Sequence, residues 1–377
     1  MSRADTPRDA HPAGGAPAPD ATASAPRPPT HPAGRVHPAG RVHRGRISIV
    51  WHPRAVAVSG LVLAVTAGLA VAVMGQGTIP LSPGDILAAL IGDAPARDVT
   101  VVRGIRLPRV VTAAAVGCAL GVSGALFQSV SRNPLGSPDV IGFTSGAAAG
   151  AAAQIVMLGG GVIATPAAAV LGGAVTATLV YLLSRHRGVT GGYRIVLVGI
   201  GVGALMDATT RIILVRGDID RSVSAEVWLS GSLASRSWAD TAVVAAGLAV
   251  AWPLALALAR PLALVEMGDV TARQLGVHVE ATRASAMLAG VVLTATAVAA
   301  AGPIAFVALA APQIASRLAG SSGPPLVTAG LTGAALLIGS DLLALHLPAG
   351  ARVPIGVVTG LLGGVYLLWL LTRGMRR

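Results

Sequence analysis

The sequence predicts an all-α, polytopic membrane protein with about ten transmembrane helices, and three observations predict it. Hydrophobic residues make up 53% of the 377 and charged residues only 12%, with a mean hydropathy of +0.72, too apolar for one water-soluble domain. Apolar windows of roughly 20 residues, the length that crosses the hydrocarbon of a bilayer, recur along the chain. Within several windows glycines fall three or four apart, which gives a helix a face that a neighbour can approach closely.

Residues 1–46 come first. They are rich in Pro, Ala, Gly, Arg and His, and the six residues from His31 repeat from His37. Such a segment cannot bury a core, so a disordered cytoplasmic tail is expected. It lacks the short apolar core and cleavage site of a secretory signal. His11, His31, His37 and His43 have no Cys or carboxylate neighbours at ligand spacing, so no metal site is expected. Residues 47–377 form the transmembrane domain. Its spans are expected near 55–75, 107–128, 139–157, 162–184, 194–214, 239–259, 284–301, 303–319, 325–343 and 354–372. The eighth is bracketed by Pro303 and Pro312 and is the most breakable.

Charge excludes several functions. All 28 basic residues are Arg, so the chain has no P-loop lysine and no Schiff-base lysine. The net charge of +12 is spread over tail and loops with 3% aromatics, which argues against nucleic acid. The single Cys118 reads as a small core filler. No Ser/His/Asp set, paired acids or cofactor motif appears at catalytic spacing, so no enzyme activity and no cofactor are expected. Asp207 and Arg211, at i and i+4 inside a span, are expected to neutralise one another. With the N-terminus inside, most loop arginines, among them Arg132, Arg273, Arg283 and Arg317, fall on the cytoplasmic side, as does the C-terminus. Arg97, Arg103, Arg106, Arg109, Arg216, Arg221, Arg236 and Arg352 then form a basic outer surface suited to an acidic soluble partner.

The richest stretch runs from residue 106 to 150. From Val110 to Phe127 nothing is charged, and Gly117, Gly121 and Gly124 share one helical face. Pro134 and Pro138 stop the helix, while Ser131, Asn133, Ser137 and Asp139 offer partners to the freed backbone. Gly142, Gly146 and Gly150 then make a second close-packing face. Farther on, residues 263–283 are the one long polar stretch between spans in the second half. There Asp269 is expected to cap a short helix whose small apolar face is Ala272, Leu275 and Gly276.

Arg106-Leu107-Pro108-Arg109, Gly117 to Gln128, and Arg132-Asn133-Pro134-Leu135 through Ser137-Pro138-Asp139 to Gly142 resemble the permease subunits of ABC importers for iron-siderophores and vitamin B12. The ferric enterobactin type is nearest. Trp228 to Leu233, Gly302 to Val307 and Pro354 to Gly363 carry the likeness on, over about residues 55 to 375. The resemblance implies a subunit of an ATP-driven iron-siderophore importer in the cell membrane, with ATP hydrolysis in separate ATP-binding subunits. A cobalamin permease and an ion-gradient-driven secondary transporter are the alternatives. It further implies an extracytoplasmic siderophore-binding protein docking on Arg106 and Arg109, and a second permease copy or paralogue sharing the translocation path near Gln128, Asn133 and Pro134. Gly268, Asp269, Ala272, Arg273, Leu275 and Gly276 match the helix that couples to the ATPase. The chain departs from the family pattern at Leu345, where a docking Arg is usual, at Gln313 in place of His, and at Gly364-Val365-Tyr366. Arg352 stands near the lost charge and joins the docking candidates.

Overall fold

The computed structural model describes residues 40–44, 47–51, 53–186, 189–190, 192–320, 323–347 and 353–374. Of the expected tail, residues 1–39, 45 and 46 lie outside the described residues, as does Arg352. Two short antiparallel hairpins pair β1 (Gly40–Arg44) with β2 (Ile47–Trp51) and β3 (Arg185–His186) with β4 (Val189–Thr190). The first of them crosses the expected tail boundary at residue 46. Every other regular element among the described residues is helical.

Each of the ten expected spans meets a helix: α1 (Pro53–Gly75), α4 (Leu107–Ser131), α5 (Phe143–Leu158), α6 (Ala164–Ser184), α7 (Gly192–Arg216), α9 (Trp238–Glu266), α11 (Val279–Ala301), α12 (Val307–Ala319), α13 (Leu326–His346) and α14 (Ile355–Gly374). Among the described residues, seven helices are long and apolar enough to cross a membrane, and Phe143–Leu158 and Ile355–Trp369 are shorter apolar helices. Short helices α2 (Pro83–Ile91), α3 (Ala96–Val101), α8 (Ile219–Leu229) and α10 (Asp269–Gln274) connect them. A π-helical turn, Val102–Arg106, joins α3 to α4, so that helix runs back to Ala96. The eighth span starts late, at Val307, because Phe306 takes a left-handed conformation (φ 68°) after the turn at Gly302.

The core is built around α4. Its glycines do what their spacing predicts: a Cβ on Gly117 would strike the backbone of Gly333, and one on Gly121 the carbonyl of Ala329, both on α13. Gly124 lies against the carbonyl of Ala308 on α12. Facing α11, Ser123 Oγ donates to the Gly290 carbonyl (2.9 Å) and meets Thr294 Oγ1 at 2.8 Å. Thr112 and Thr241 share a buried hydroxyl contact of 2.7 Å with α9. Small side chains and hydroxyl bonds thus hold helices together where no hydrophobic drive separates protein from lipid. The second glycine face divides. Gly146 and Gly150 pack on Thr176, Gly172 and Ala168 of α6, whereas Gly142 meets Gly199 and Gly203 of α7.

The outside of this bundle is apolar. Leu61, Leu63 and Val65 of α1 and Leu171, Val175 and Leu182 of α6 are all exposed, as lipid-facing helices require.

Candidate functional site: the two ends of the helix bundle

Long-range contacts sort the chain's charges to two ends. At one end, the Arg106 guanidinium donates to the carbonyls of Met74 and Ile79, the latter at 2.5 Å, closing the turn after α1. Arg103 donates to the Leu90 carbonyl (2.6 Å), and Trp238 Nε1 donates to the Arg103 carbonyl (3.3 Å). Arg109 makes a bidentate pair with Asp341 of α13, Nε to Oδ2 at 2.9 Å and Nη2 to Oδ1 at 2.7 Å. Asp341 is 3% exposed and Arg109 26%. This fork-to-carboxylate geometry is the strong form of an ion pair. Two of the guanidinium's five donors are engaged there, leaving others for a partner. Leu345, one turn beyond Asp341, is partly exposed.

At the other end, Arg54 donates to the carbonyls of Leu318 (2.9 Å) and Arg317 (3.4 Å), tying the start of α1 to the end of α12. Here α4 breaks. Arg132 sits in the left-handed region (φ 50°) as the cap of α4, its N–H donating to the Gln128 and Ser129 carbonyls. Of the four polar residues expected to serve the freed backbone, Ser131, Asn133 and Ser137 do so, whereas Asp139 pairs with a side chain. Ser131 Oγ donates to the Phe127 carbonyl (2.8 Å), and Asn133 Oδ1 accepts from Leu135 N (2.9 Å). Ser137 Oγ accepts from Val140 N (3.3 Å), and Asp139 accepts from the Thr144 hydroxyl. Gln313 Nε2 donates to the Pro134 carbonyl (2.6 Å) and Gln128 Nε2 to that of Leu309 (3.0 Å), so α12 clamps the break from one side. The three expected path residues, Gln128, Asn133 and Pro134, border one cavity of about 460 Å³ together with Ser129, Arg132 and Glu266.

Beside that cavity lies α10. Gly268 precedes it with φ 121°, and Gly276 ends it with φ 81° and open space where a Cβ would stand. Two expectations are corrected. Asp269 is the first helical residue rather than the cap: its carboxylate accepts from Arg283, at 2.7 and 3.1 Å, instead of from its own backbone. Arg283 is fully buried, and a buried guanidinium takes the carboxylates within reach, Asp269 and, at 3.4 Å, Glu280, because leaving it unpaired costs more than an uncapped amide. Ala272 is not on an outward face with Leu275; it packs inward with Val265 and Val279. Leu275, Val270 and Met267 are 60%, 67% and 69% exposed, and Arg273 is exposed between them. The outward apolar residues Met267 and Val270 were not legible as part of this surface, because a six-residue helix is too short to show a period.

Asp207 and Arg211 are also corrected. Both are exposed and no ion pair joins them among the described residues. Asp207 instead borders a cavity of about 330 Å³ with Thr144, Ser145, Ser230 and Gly356.

A bundle of apolar helices interlocked by glycine faces, broken at Asn133-Pro134 and carrying a short exposed helix at the same end, defines a multi-pass membrane transport protein. The chain belongs to the FecCD transport family, which matches residues 61–373. It is 43% identical over 302 residues to the ferric enterobactin transport system permease protein FepG of Escherichia coli (strain K12), covering 80% of this chain and 91% of that one. It is 38% identical over 334 residues to the achromobactin transport system permease protein CbrC of Dickeya dadantii (strain 3937), covering 88% and 95%. Among solved structures, a metal-chelate type ABC transporter in an inward-facing conformation superposes with a TM-score of 0.74 at 27% identity, covering 84% of this chain and 99% of that one.

Proposed function

We propose that this chain is the transmembrane subunit of an ATP-driven importer that carries an iron-siderophore complex across the cytoplasmic membrane. The observation that carries this reading is α10. A six-residue helix held rigidly at one end of a membrane bundle, presenting Val270 and Arg273 outward with Met267 and Leu275 flanking it, is a handle for a soluble partner, and the relatives are named as permeases of ferric enterobactin and achromobactin transport systems. ATP-binding subunits seat on Gly268 to Gly276. The Arg106 and Arg109 end faces outward and receives an acidic siderophore-binding protein, with Arg352 adding to the same basic surface. Both termini are cytoplasmic, and a second permease copy or paralogue completes the path bordered by Gln128, Asn133 and Pro134.

The test is ATP-dependent uptake of 55Fe-labelled ferric siderophore by cells carrying this chain with its partner subunits, comparing Gly276→Trp with Gly276→Ala. Both put a side chain at positive φ, which costs roughly 1–2 kcal/mol, and a Cβ there has nothing within 4 Å of it. Only Trp adds bulk where the ATPase seats. Uptake is expected to fall to background in Gly276→Trp while Gly276→Ala keeps most of it. Uptake that survives the Trp and follows the proton gradient would make the protein a secondary transporter instead.

A further inference from the structure

We propose that Arg132 is a positioning residue of the transport cycle: it passes the displacement of α10 to the helix break at Asn133-Pro134. The inference rests on the importer reading above.

Consider first what α10 is fixed to. Arg283 of α11 is fully buried and grips both oxygens of Asp269. Ala272, wholly inaccessible, is locked between Val265 and Val279. Opening the Asp269–Arg283 contact would strip a buried guanidinium of its bidentate partner, a far greater loss than opening an exposed pair. A push on α10 therefore moves the start of α11 with it. From this rigid unit one further ion pair leaves, among the described residues: Asp269 Oδ1 to Arg132 Nη2, at 3.5 Å.

Arg132 is well placed to act on the next two residues of the chain. Its backbone already occupies the left-handed region, and its amide is bound to the last carbonyls of α4. A pull on its side chain is thus delivered to the turn that orients Asn133 and Pro134. On the opposite side that turn is clamped to α12 through Gln313 and Gln128. The break hangs between two handles, one on α12 and one on the ATPase-facing helix.

Magnitude separates this role from a structural one. Arg132 is 40% and Asp269 22% exposed, and a pair of that kind, screened by solvent, adds little to stability. It is too weak to decide whether the chain folds, and weak enough to open and re-form in each cycle.

The experiment uses the complete complex, with ATPase subunits and binding protein, in proteoliposomes, and measures ATP hydrolysis and uptake of a 55Fe tris-catecholate on the same sample. In Arg132→Gln the thermal unfolding midpoint is expected to be unchanged and ATP hydrolysis to stay within about twofold, while iron moved per ATP falls at least about tenfold. Arg132→Lys, which keeps the charge, recovers much of the loss. Iron moved per ATP unchanged in Arg132→Gln overturns the relay alone. Hydrolysis and uptake falling together overturn it too, since Arg132 would then serve ATPase seating. A wild-type complex without ATP-dependent uptake overturns the importer reading, and the relay with it.

Discussion

Gly124→Val is expected to prevent the chain from accumulating as a folded membrane protein. A Cβ at this position would land inside the Ala308 carbonyl, and that oxygen belongs to a helix backbone that cannot swing away like a side chain. The whole of α12 would have to retreat from α4. Overpacking a well-packed interior costs about 1–3 kcal/mol, occasionally more. Here the retreat also loosens the clamp that Gln128 and Gln313 place on the break. Gly60→Val is the control, because nothing stands within 4 Å of a Cβ there. Detergent extraction followed by size-exclusion chromatography would read the result: monodisperse protein for Gly60→Val, aggregate or none for Gly124→Val. Equal yields would mean that α4 and α12 are not packed as described.

Arg109→Leu should be a costly change of charge, because it leaves Asp341 unpaired at 3% exposure. Removing one member of a buried pair costs about 3–5 kcal/mol. The double variant Arg109→Leu/Asp341→Leu should regain most of that, since two apolar residues replace two buried charges. Thermal unfolding in detergent of wild type, both single variants and the double variant forms a cycle that measures the coupling. If Arg109→Leu and the double variant are equally unstable, the pair is not what holds this end of α4 to α13. The same double variant separates two roles of Arg109. Once folding is restored, lost affinity for the siderophore-binding protein would assign it to docking, and native affinity would make it an anchor only.

Much of the architecture was legible because membrane spans announce themselves locally. A run of apolar residues needs no partner to be recognised, and all ten windows found a helix. Glycine spacing gave more: it identified the close-packed face of α4 and a second one from Gly142 to Gly150, though not its division between two neighbours. What spacing cannot give is which helix fills a face. Gly117 and Gly121 meet α13 while Gly124 meets α12, a division set by how three helices cross. The charges were harder still. Arg109 and Asp341 lie 232 residues apart, and nothing in either neighbourhood names the other. Arg283 stood among ordinary loop arginines, yet it is fully buried, because Asp269 draws it under α10. For Asp207 and Arg211 the reverse held: sequence proximity suggested a pair, and Asp207 borders a cavity instead.

The central place of α4 bears on how the protein is made. Ribosomes deliver α4 second among the long apolar helices, but its packing partners α9, α11, α12 and α13 emerge much later, spread over residues 238–346. Until then its glycine faces and the hydroxyls of Thr112 and Ser123 wait in lipid or against a membrane chaperone, without Thr241, Gly290 or Gly333 to meet. Biogenesis therefore ends rather than begins with the core. A nascent chain released before α13 emerges would be inserted but unassembled, and quality-control proteases would find it with its most adhesive surface still uncovered.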